Sequence, residues 1–573
     1  MKKTIAQAGT VVPILVLACG MFLFTTAAPA IAEASDLRGM IWGTVSADRG
    51  RVKGFAVKAR DTIHRMTYTV FTRNGRYQAP NLPASSYEVR VVQKGFESPV
   101  EKVDLKAGEK KTVDVALQAQ ETKPDTVQRV DYDTLYPPGP GRDALERRCM
   151  PCHARTTYHR QRRTREGWKK AVAMMTDPKV PSPSNVNGIP AILHLPAKEE
   201  ETILGYLAEN FPPGAPAREL KLDEFPVEEE ALGDAVFIEY DLPGPRENAL
   251  FRTASSSLVT PEAANLGHSR NLHDPFVAPD GTVFFDDHGS NAIIHLDPWQ
   301  LDFQKRFREY PIRSSSNVYP HGITLDRKGH LYWAEMTGGH LGELDPVSGE
   351  QKRHLFPSKG AMLQVVTDSK DNIWYGLISG TRIGKMDAKT RQITDWEAPT
   401  PGGDIYGLIV DRNDKLWGAE AAVGKILKFD PVTEKFTEYS TPTRPSGIRR
   451  LCVDSKGKIW FGEYFGGNLG VLDPATGKIT EYPFPLKYTQ AYEVWPDAQD
   501  NIWISDTVYG SIIQFDQKTK KFTYYPLPQP GYTIPKIEVD KEGTLWFGSR
   551  FVPNITAVAF KPKGNSRSRV ATP

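Results

Sequence analysis

Short runs of alternating apolar and polar positions fill most of the chain, and one stretch switches to helical spacing. In 37–118, alternating runs at 39–45, 87–92 and 112–117 are separated by turn residues such as Asn74 and Gly75, which predicts a small all-β domain. Residues 119–141 are polar and end in Pro137, Pro138, Gly139, Pro140 and Gly141, a stretch read as a linker without regular helix. Residues 142–212 read as helical, with candidates at 143–148, 166–175 and 198–211; the last places Ile203, Leu204, Tyr206 and Leu207 on one face. Pro212, Pro213 and Gly214 stop that helix, and 213–233 reads as a second linker.

From 234 to 563 the pattern repeats. Trp374, Trp417, Trp460, Trp503 and Trp546 fall 43 residues apart, each on an apolar strand behind an aspartate turn. Tyr332 and Phe284 take the same place in two earlier, less regular units. A repeat of this length with four short strands per unit predicts a β-propeller, and seven aromatic strands predict seven blades. The last unit has no closing strand of its own, and a stray one, Phe237 to Tyr240, stands at the front. That strand is expected to complete the last blade and lock the ring. Residues 564–573 are read as a flexible tail.

At 573 residues the chain is too long for one core, and 39% hydrophobic with 25% charged residues is a globular composition. Lys2 and Lys3 precede an apolar run through Val11 to Phe24 and a small-residue exit at Ala30 to Ala32. This is the plan of a secretory signal over 1–32, so the protein is expected to be exported, in the periplasm. Cys19 lies inside the apolar run, where a lipid anchor is not expected, and no later segment is long and apolar enough to span a bilayer. Removing 1–32 takes Lys2 and Lys3 away and leaves +1 of the formal charge of +3. That balance argues against a general nucleic-acid binder.

Three cysteines remain: Cys149, Cys152 and Cys452. Cys452 sits in an apolar strand pattern and is expected to pack as a small hydrophobe. Cys149, Met150, Pro151, Cys152 and His153 form a Cys-x-x-Cys-His motif. Two thiols for thioether bonds and an imidazole directly after them suit the covalent attachment of one haem c, with His153 under the iron. A thioredoxin-like context or a second Cys/His pair would favour a redox thiol pair or a zinc site, and neither is present. Arg147, Arg148, Arg155, Arg160, Arg162, Arg163, Arg165, Lys169 and Lys170 surround the motif. They read either as a solvated face with partners for haem propionates or as a docking patch for an acidic soluble redox partner.

Three resemblances add to this reading. The succession of Asn74, Gly75, Arg76, Tyr77, then Asn81, Leu82, Pro83, then Tyr87 to Val91 and Gly95, Phe96 resembles the carboxypeptidase regulatory-like β-sandwich family. Its domains are usually accessory, which implies a spacer or docking module. Trp168 and Met175 on one helix, with Tyr206, Leu207, Ala208 and Phe211 closing the last, resemble small cytochrome c domains. That resemblance implies Met175 as sixth haem ligand, with Met174, His159 and His194 as alternatives. The repeats resemble the virginiamycin B lyase (streptogramin lyase) family of seven-bladed propellers, through Pro320, His321, Gly322 and Ile323, then Leu331 to Glu335, and through Ile459 to Tyr464, then Leu469 to Tyr482. The fold class expected is therefore multidomain and mainly β: a small β-sandwich, an α-helical cytochrome c domain, then a seven-bladed β-propeller.

Strand register brings chemistry to one mouth of the propeller channel. His321 begins an innermost strand and Glu335 ends the next. Asp287, Leu377, Glu420, Glu463, Asp506 and Ser549 match Glu335 in the other units, and Tyr406, Arg449 and Tyr492 match His321, with Arg450 and Glu493 beside two of them. A ring of carboxylates with His273, His321, Arg449 and tyrosines interspersed is expected, suited to Ca²⁺ or Mg²⁺. The lyase resemblance implies a Mg²⁺ ion with His321 and Glu335 as catalytic residues, fourteen positions apart. The family places a glutamate two residues before that histidine, where this chain has Tyr319. It places a second histidine where this chain has Pro275, with His273 two residues away.

The function expected is periplasmic electron transfer: a substrate is oxidised on the propeller, or electrons are relayed to a redox partner protein. The alternatives are a metal-dependent C–O lyase with an appended cytochrome and a propeller binding module for a partner redox enzyme. The layout is similar to parts of quinohaemoprotein dehydrogenases, without any motif for a quinone cofactor.

Overall fold

A computed structural model of the chain describes residues 37–121, 127–150, 155, 158–177, 179–180, 195–244, 270–315, 317–358, 360–378, 380–529, 532–550 and 552–561. The segment 1–32 and the tail 564–573 lie outside these residues. The architecture is mainly β: an N-terminal sandwich, a short helical region, then the four-stranded blades of a propeller. No helix among the described residues is long and apolar enough to cross a membrane.

In the sandwich, Gly39–Ala47 pairs with Arg76–Leu82 on one side and with Lys110–Thr112 and Val115–Ala119 on the other. The run expected as one strand at 112–117 is thus two. It breaks where the Asp114 carboxylate turns back to accept from the Thr44 amide and hydroxyl, both at 2.7 Å.

The second sheet is not confined to the sandwich. Ala235–Asp241 pairs antiparallel with Asn554–Phe560 on one edge and with Met66–Phe71 on the other. The last blade and four sandwich strands therefore form one eight-stranded sheet. Burying both edges of Ala235–Asp241 leaves neither open to a stray strand. One apolar core runs across the junction, from Val57, Tyr68 and Val89 through Ile238 and Tyr240 to Phe285 and Trp546. Glu239 anchors the seam by accepting from Tyr532 at 2.8 Å and Asn554 at 3.0 Å. The expectation of a spacer is corrected: the sandwich is welded to the ring.

Both expected linkers carry structure. Gln128–Val130 pairs in parallel with Arg218–Leu220, tying 119–141 to 213–233 beneath the helices. The helix Pro140–Arg148 begins inside the proline- and glycine-rich stretch. Proline is at home in a first helical turn, because that turn's amides have no intrahelical partner. Gly141 lets the helix Ala197–Asn210 approach, since a β-carbon there would lie 2.4 Å from that of Tyr206. The third helix, Arg165–Thr176, is capped by Thr164, whose hydroxyl accepts from the Gly167 amide at 3.1 Å. Trp168, Leu145, Ile203 and Leu207 fill the core between them.

The propeller contains six four-stranded antiparallel sheets, from Leu272–Val277 to Phe522–Pro526. A seventh set is Glu538–Val539, Leu545–Gly548, Asn554–Phe560 and Ala235–Asp241. Each of the six innermost strands carries a register irregularity near its start, for example between His321 and Ile323 and between Ile448 and Leu451. Bulges of this kind break the alternation of a strand and re-aim its side chains. Gly322, at φ +50°, makes one such bulge, and a β-carbon there would meet the Leu363 carbonyl at 2.6 Å.

Candidate functional site

The bulges send consecutive residues of the innermost strands toward the channel axis. Arg450 shows the convergence. Its guanidinium donates to Asp274 of the first blade at 2.8 Å and to Gln364 of the third, and lies 3.7 Å from Glu493 of the sixth. Asp274 is fully buried and accepts from the Gly322 amide at 2.6 Å. Its carboxylate lies 2.9 Å from His321 Nδ1 and 3.2 Å from His273 Nδ1, although neither nitrogen meets it at a hydrogen-bonding angle.

Three imidazoles crowd this point. The His273 ring stacks on His288 at 4.6 Å and tilts against His321 at 4.0 Å between centroids. All three are buried. Burial pulls each below the ordinary histidine range, more strongly than the Asp274 carboxylate raises His273 and His321. The rings are therefore neutral at pH 7, with nitrogen lone pairs available. Burial alone would raise Asp274, but Arg450 and the imidazoles hold it well below the usual carboxylate range. Asp286, which accepts from the Asp274 amide at 2.8 Å, is pushed up by burial and by the Asp274 charge.

The far side of the mouth is aromatic. The Arg449 guanidinium lies over Tyr464 at 3.4 Å and Tyr492 at 4.3 Å. Tyr492 reaches back with its hydroxyl 3.4 Å from His273 Nε2 and is hydrogen-bonded to Tyr406.

The expected ring of carboxylates is not formed. Glu335 pairs across the ladder with Pro320, and Arg353 of its own blade's outermost strand holds both its oxygens at 2.6 Å. Glu463 accepts from Asn468 at 2.7 Å, Asp506 from the Tyr509 amide at 2.9 Å, and Asp287 from Ser290 and from Arg270 at 2.9 Å. Glu420 is buried beside Glu438. These side chains end the second strand of each blade and serve the turn that follows. Leu377 and Ser549, at the same position, are buried without charge. His321 and Glu335 are not brought together, and Asp274 stands beside His321 in place of Glu335.

Asp274, Asp286 and His288 escaped the register argument. Each lies one residue from a position it marked: His273 for Asp274, and Asp287 for both Asp286 and His288.

In the helical region, Cys149 caps Pro140–Arg148 and is half-buried against the apolar core. Cys152, His153 and His194 lie outside the described residues. Of the motif only Cys149 and Met150 are described, and Cys149 packs against the apolar cluster that contains Leu145, Trp168 and Leu204. Met175 is half-buried in the last turn of Arg165–Thr176, and Met174 is 39% exposed. His159 is buried, with Nδ1 3.3 Å from the Tyr136 hydroxyl and Nε2 without a hydrogen-bond partner. Burial and the neighbouring Arg160 push it down to about 4. Much of the surrounding basic charge is paired locally: Arg147 and Arg148 with Glu199, Arg165 with Glu201 and Arg160 with Glu219.

Arg155, two residues past His153, joins this region to the propeller. It is buried against the Phe465 ring at 4.1 Å, donates to the Phe465 carbonyl, and its amide donates to the Gln490 side chain at 3.1 Å. Gln490 lies two residues before Tyr492.

Residues 275–506 match the model of the virginiamycin B lyase family, and residues 40–118 match that of the carboxypeptidase regulatory-like domain. No protein of curated function matches the chain in sequence. Among solved structures, a streptogramin B lyase is 20% identical with a TM-score of 0.50, covering 58% of this chain and 99% of its own. Virginiamycin B lyase from Staphylococcus aureus is 20% identical with a TM-score of 0.47, covering 51% and 96%. The WD40 β-propeller domain of Doa1 is 12% identical with a TM-score of 0.43, covering 53% and 96%. At such identities the likeness shows the fold alone. The chain thus joins a carboxypeptidase regulatory-like sandwich to a virginiamycin B lyase-like propeller.

Proposed function

We propose that the protein is an exported c-type cytochrome joined to a seven-bladed propeller, in which a small molecule is oxidised at the histidine mouth and a soluble redox partner carries the electrons away. Cys149, Cys152 and His153 would hold the haem and Met175 would be its sixth ligand. A haem c bound there takes one electron at a time, at a potential that a thioether ligand raises. The observation that supports this reading is the seat of Arg155. Arg155, two residues past His153 in sequence, is held by Gln490 and Phe465, and the chain then runs from Gln490 to Tyr492, which touches His273. The chain's own residues supply the rest. Neutral His321 accepts a proton from the substrate, and Asp274 beside it stabilises the resulting imidazolium.

The metal-dependent C–O lyase is the second reading, favoured by the family match over 275–506. Against it stands Glu335, tied to Arg353 rather than to His321.

The test uses the mature chain, anaerobic and with its haem oxidised, given a panel of small alcohols, aldehydes and esters. Absorbance follows the haem and chromatography follows bond cleavage. Substrate-dependent haem reduction that falls at least tenfold in His321→Ala, with reduction by dithionite unchanged, is expected. Absence of a covalent haem, or ester cleavage with the haem silent, would overturn the electron-transfer reading. Haem that responds only to a protein donor would make the propeller a docking module.

A further inference from the structure

The three imidazoles of the mouth come from separate elements. His273 lies on the innermost strand of the first blade, His288 on the turn after that blade's second strand, and His321 on the innermost strand of the second blade. One ligand-capable atom from each lies within 4.8 Å of the others. His288 Nε2 is buried without a hydrogen-bond partner, and the Nδ1 atoms of His273 and His321 turn to the Asp274 carboxylate at 3.2 and 2.9 Å. Three neutral imidazoles converging within this distance form a site for a shared partner, and for such lone pairs that partner is a cation.

The surroundings are built for the same occupant. Asp274 lies against two of the rings and is itself fixed by the Gly322 amide and Arg450. Carboxylates in this position orient metal-bound imidazoles and strengthen their donation. With His273 and Asp274, Asp286 forms a second converging triple, and its Oδ2 is also without a partner. The fixed cations around the cluster are Arg450, engaged by Asp274 and Gln364, Lys536, held by the Pro275 carbonyl at 3.2 Å, and Arg550, whose charge lowers all three imidazoles.

Donor type selects the ion. Ca²⁺ takes six to eight oxygens, and Mg²⁺ a strict octahedron of oxygen donors. Imidazole suits zinc, copper, iron and nickel. Three nitrogens also leave a coordination position open, as catalytic rather than structural sites do. We propose that His273, His288 and His321 together bind one divalent first-row transition-metal ion at the channel mouth, with Asp274 orienting the rings. This replaces the Ca²⁺ or Mg²⁺ expected from the carboxylate ring; it does not depend on the haem, and with the ion bound His321 serves as a ligand in place of its role as proton acceptor.

The test is calorimetric titration of the mature full-length chain, stripped with a chelator, using Zn²⁺. One Zn²⁺ per chain is expected, with affinity at least 100-fold weaker in His288→Asn and unaffected by millimolar Mg²⁺ or Ca²⁺. Thermal unfolding should shift upward with Zn²⁺ in the parent and not in the variant. If His288→Asn does not fold, the spin spectrum of the Cu²⁺-loaded parent decides. Coupling to imidazole nitrogens supports the site, and its absence overturns it. The proposal also fails if folded protein takes up no Zn²⁺, or if Mg²⁺ or Ca²⁺ displaces it. It fails too if uptake survives in His288→Asn and disappears when the thiols are alkylated, since the metal then belongs to the cysteines.

Discussion

The first blade and the last five differ at one repeated lock. In the five that carry tryptophan, an aspartate accepts from the indole six residues on, at 2.8 Å for Asp368 and Trp374 and 2.9 Å for Asp454 and Trp460. Its other oxygen takes two backbone amides of the intervening turn, as Asp454 does from Lys456 and Lys458 at 2.9 Å each. The second blade keeps a weaker form, Tyr332 donating to Asp326 at 3.2 Å. The first has lost it: Phe284 has no donor, and exposed Asp280 serves only Thr282. The blades that depart from the repeat are those that bring His273, His288 and His321. Regular positions serve stability, and a local rule is broken where chemistry needs the place.

The largest effect that would test this division is Trp460→Ala. The ring is 2% exposed and packs on Tyr482 and Phe515. Its loss should cost about 3–5 kcal/mol of unfolding free energy, read from urea titration by circular dichroism, and leave Zn²⁺ affinity unchanged. A change in metal affinity would mean that lock and site are one system.

A smaller effect separates the turns themselves. Asp454→Ala strands two amides and an indole N–H, and should cost about 1–3 kcal/mol. Asp280→Ala removes an exposed turn contact and should stay within about 0.5 kcal/mol. Equal losses in the two variants would break the comparison.

What was legible in the sequence follows the same line. The tryptophan spacing located every regular blade, and helical periodicity placed Arg165–Thr176 within a residue at each end. Register alone predicted a carboxylate ring, because it assumes strict alternation along each strand. The bulges remove that alternation at the mouth, so Asp274 joins His273 on the axis. Conversely, alternation does hold on Val283–Asp287: Asp286 belongs to the mouth cluster, and Asp287 turns to Arg270. Nor could a pattern along one chain show that Ala235–Asp241 would meet the sandwich, since pairing partners far apart in sequence leave no local signal.

The smallest predicted effect concerns the carboxylate that ends each second strand. In the first two blades it has a guanidinium partner, Arg270 for Asp287 and Arg353 for Glu335. In the fifth blade Glu463 has Asn468 in place of a guanidinium, and burial together with the neighbouring Glu481 pushes it up to about 9. In the fourth, burial and Glu438 push Glu420 up to about 8. Both hold their protons in the folded protein at neutral pH, whereas in the unfolded chain they lose them above about 4.5. The folded state therefore binds more protons between about 4.5 and 9, and stability falls as pH rises through that window. Glu463→Gln removes the titration and keeps a polar side chain for Asn468. It should match the parent near pH 5 and exceed it by at least about 1 kcal/mol at pH 8.5, measured by urea unfolding at the two pH values. A Glu420→Gln/Glu463→Gln double variant should flatten the alkaline slope further. If the slope persists unchanged, it belongs to other buried carboxylates of the regular blades, Glu493 at about 8 and Glu538 at about 7, and the end of the second strand is not where the ring titrates.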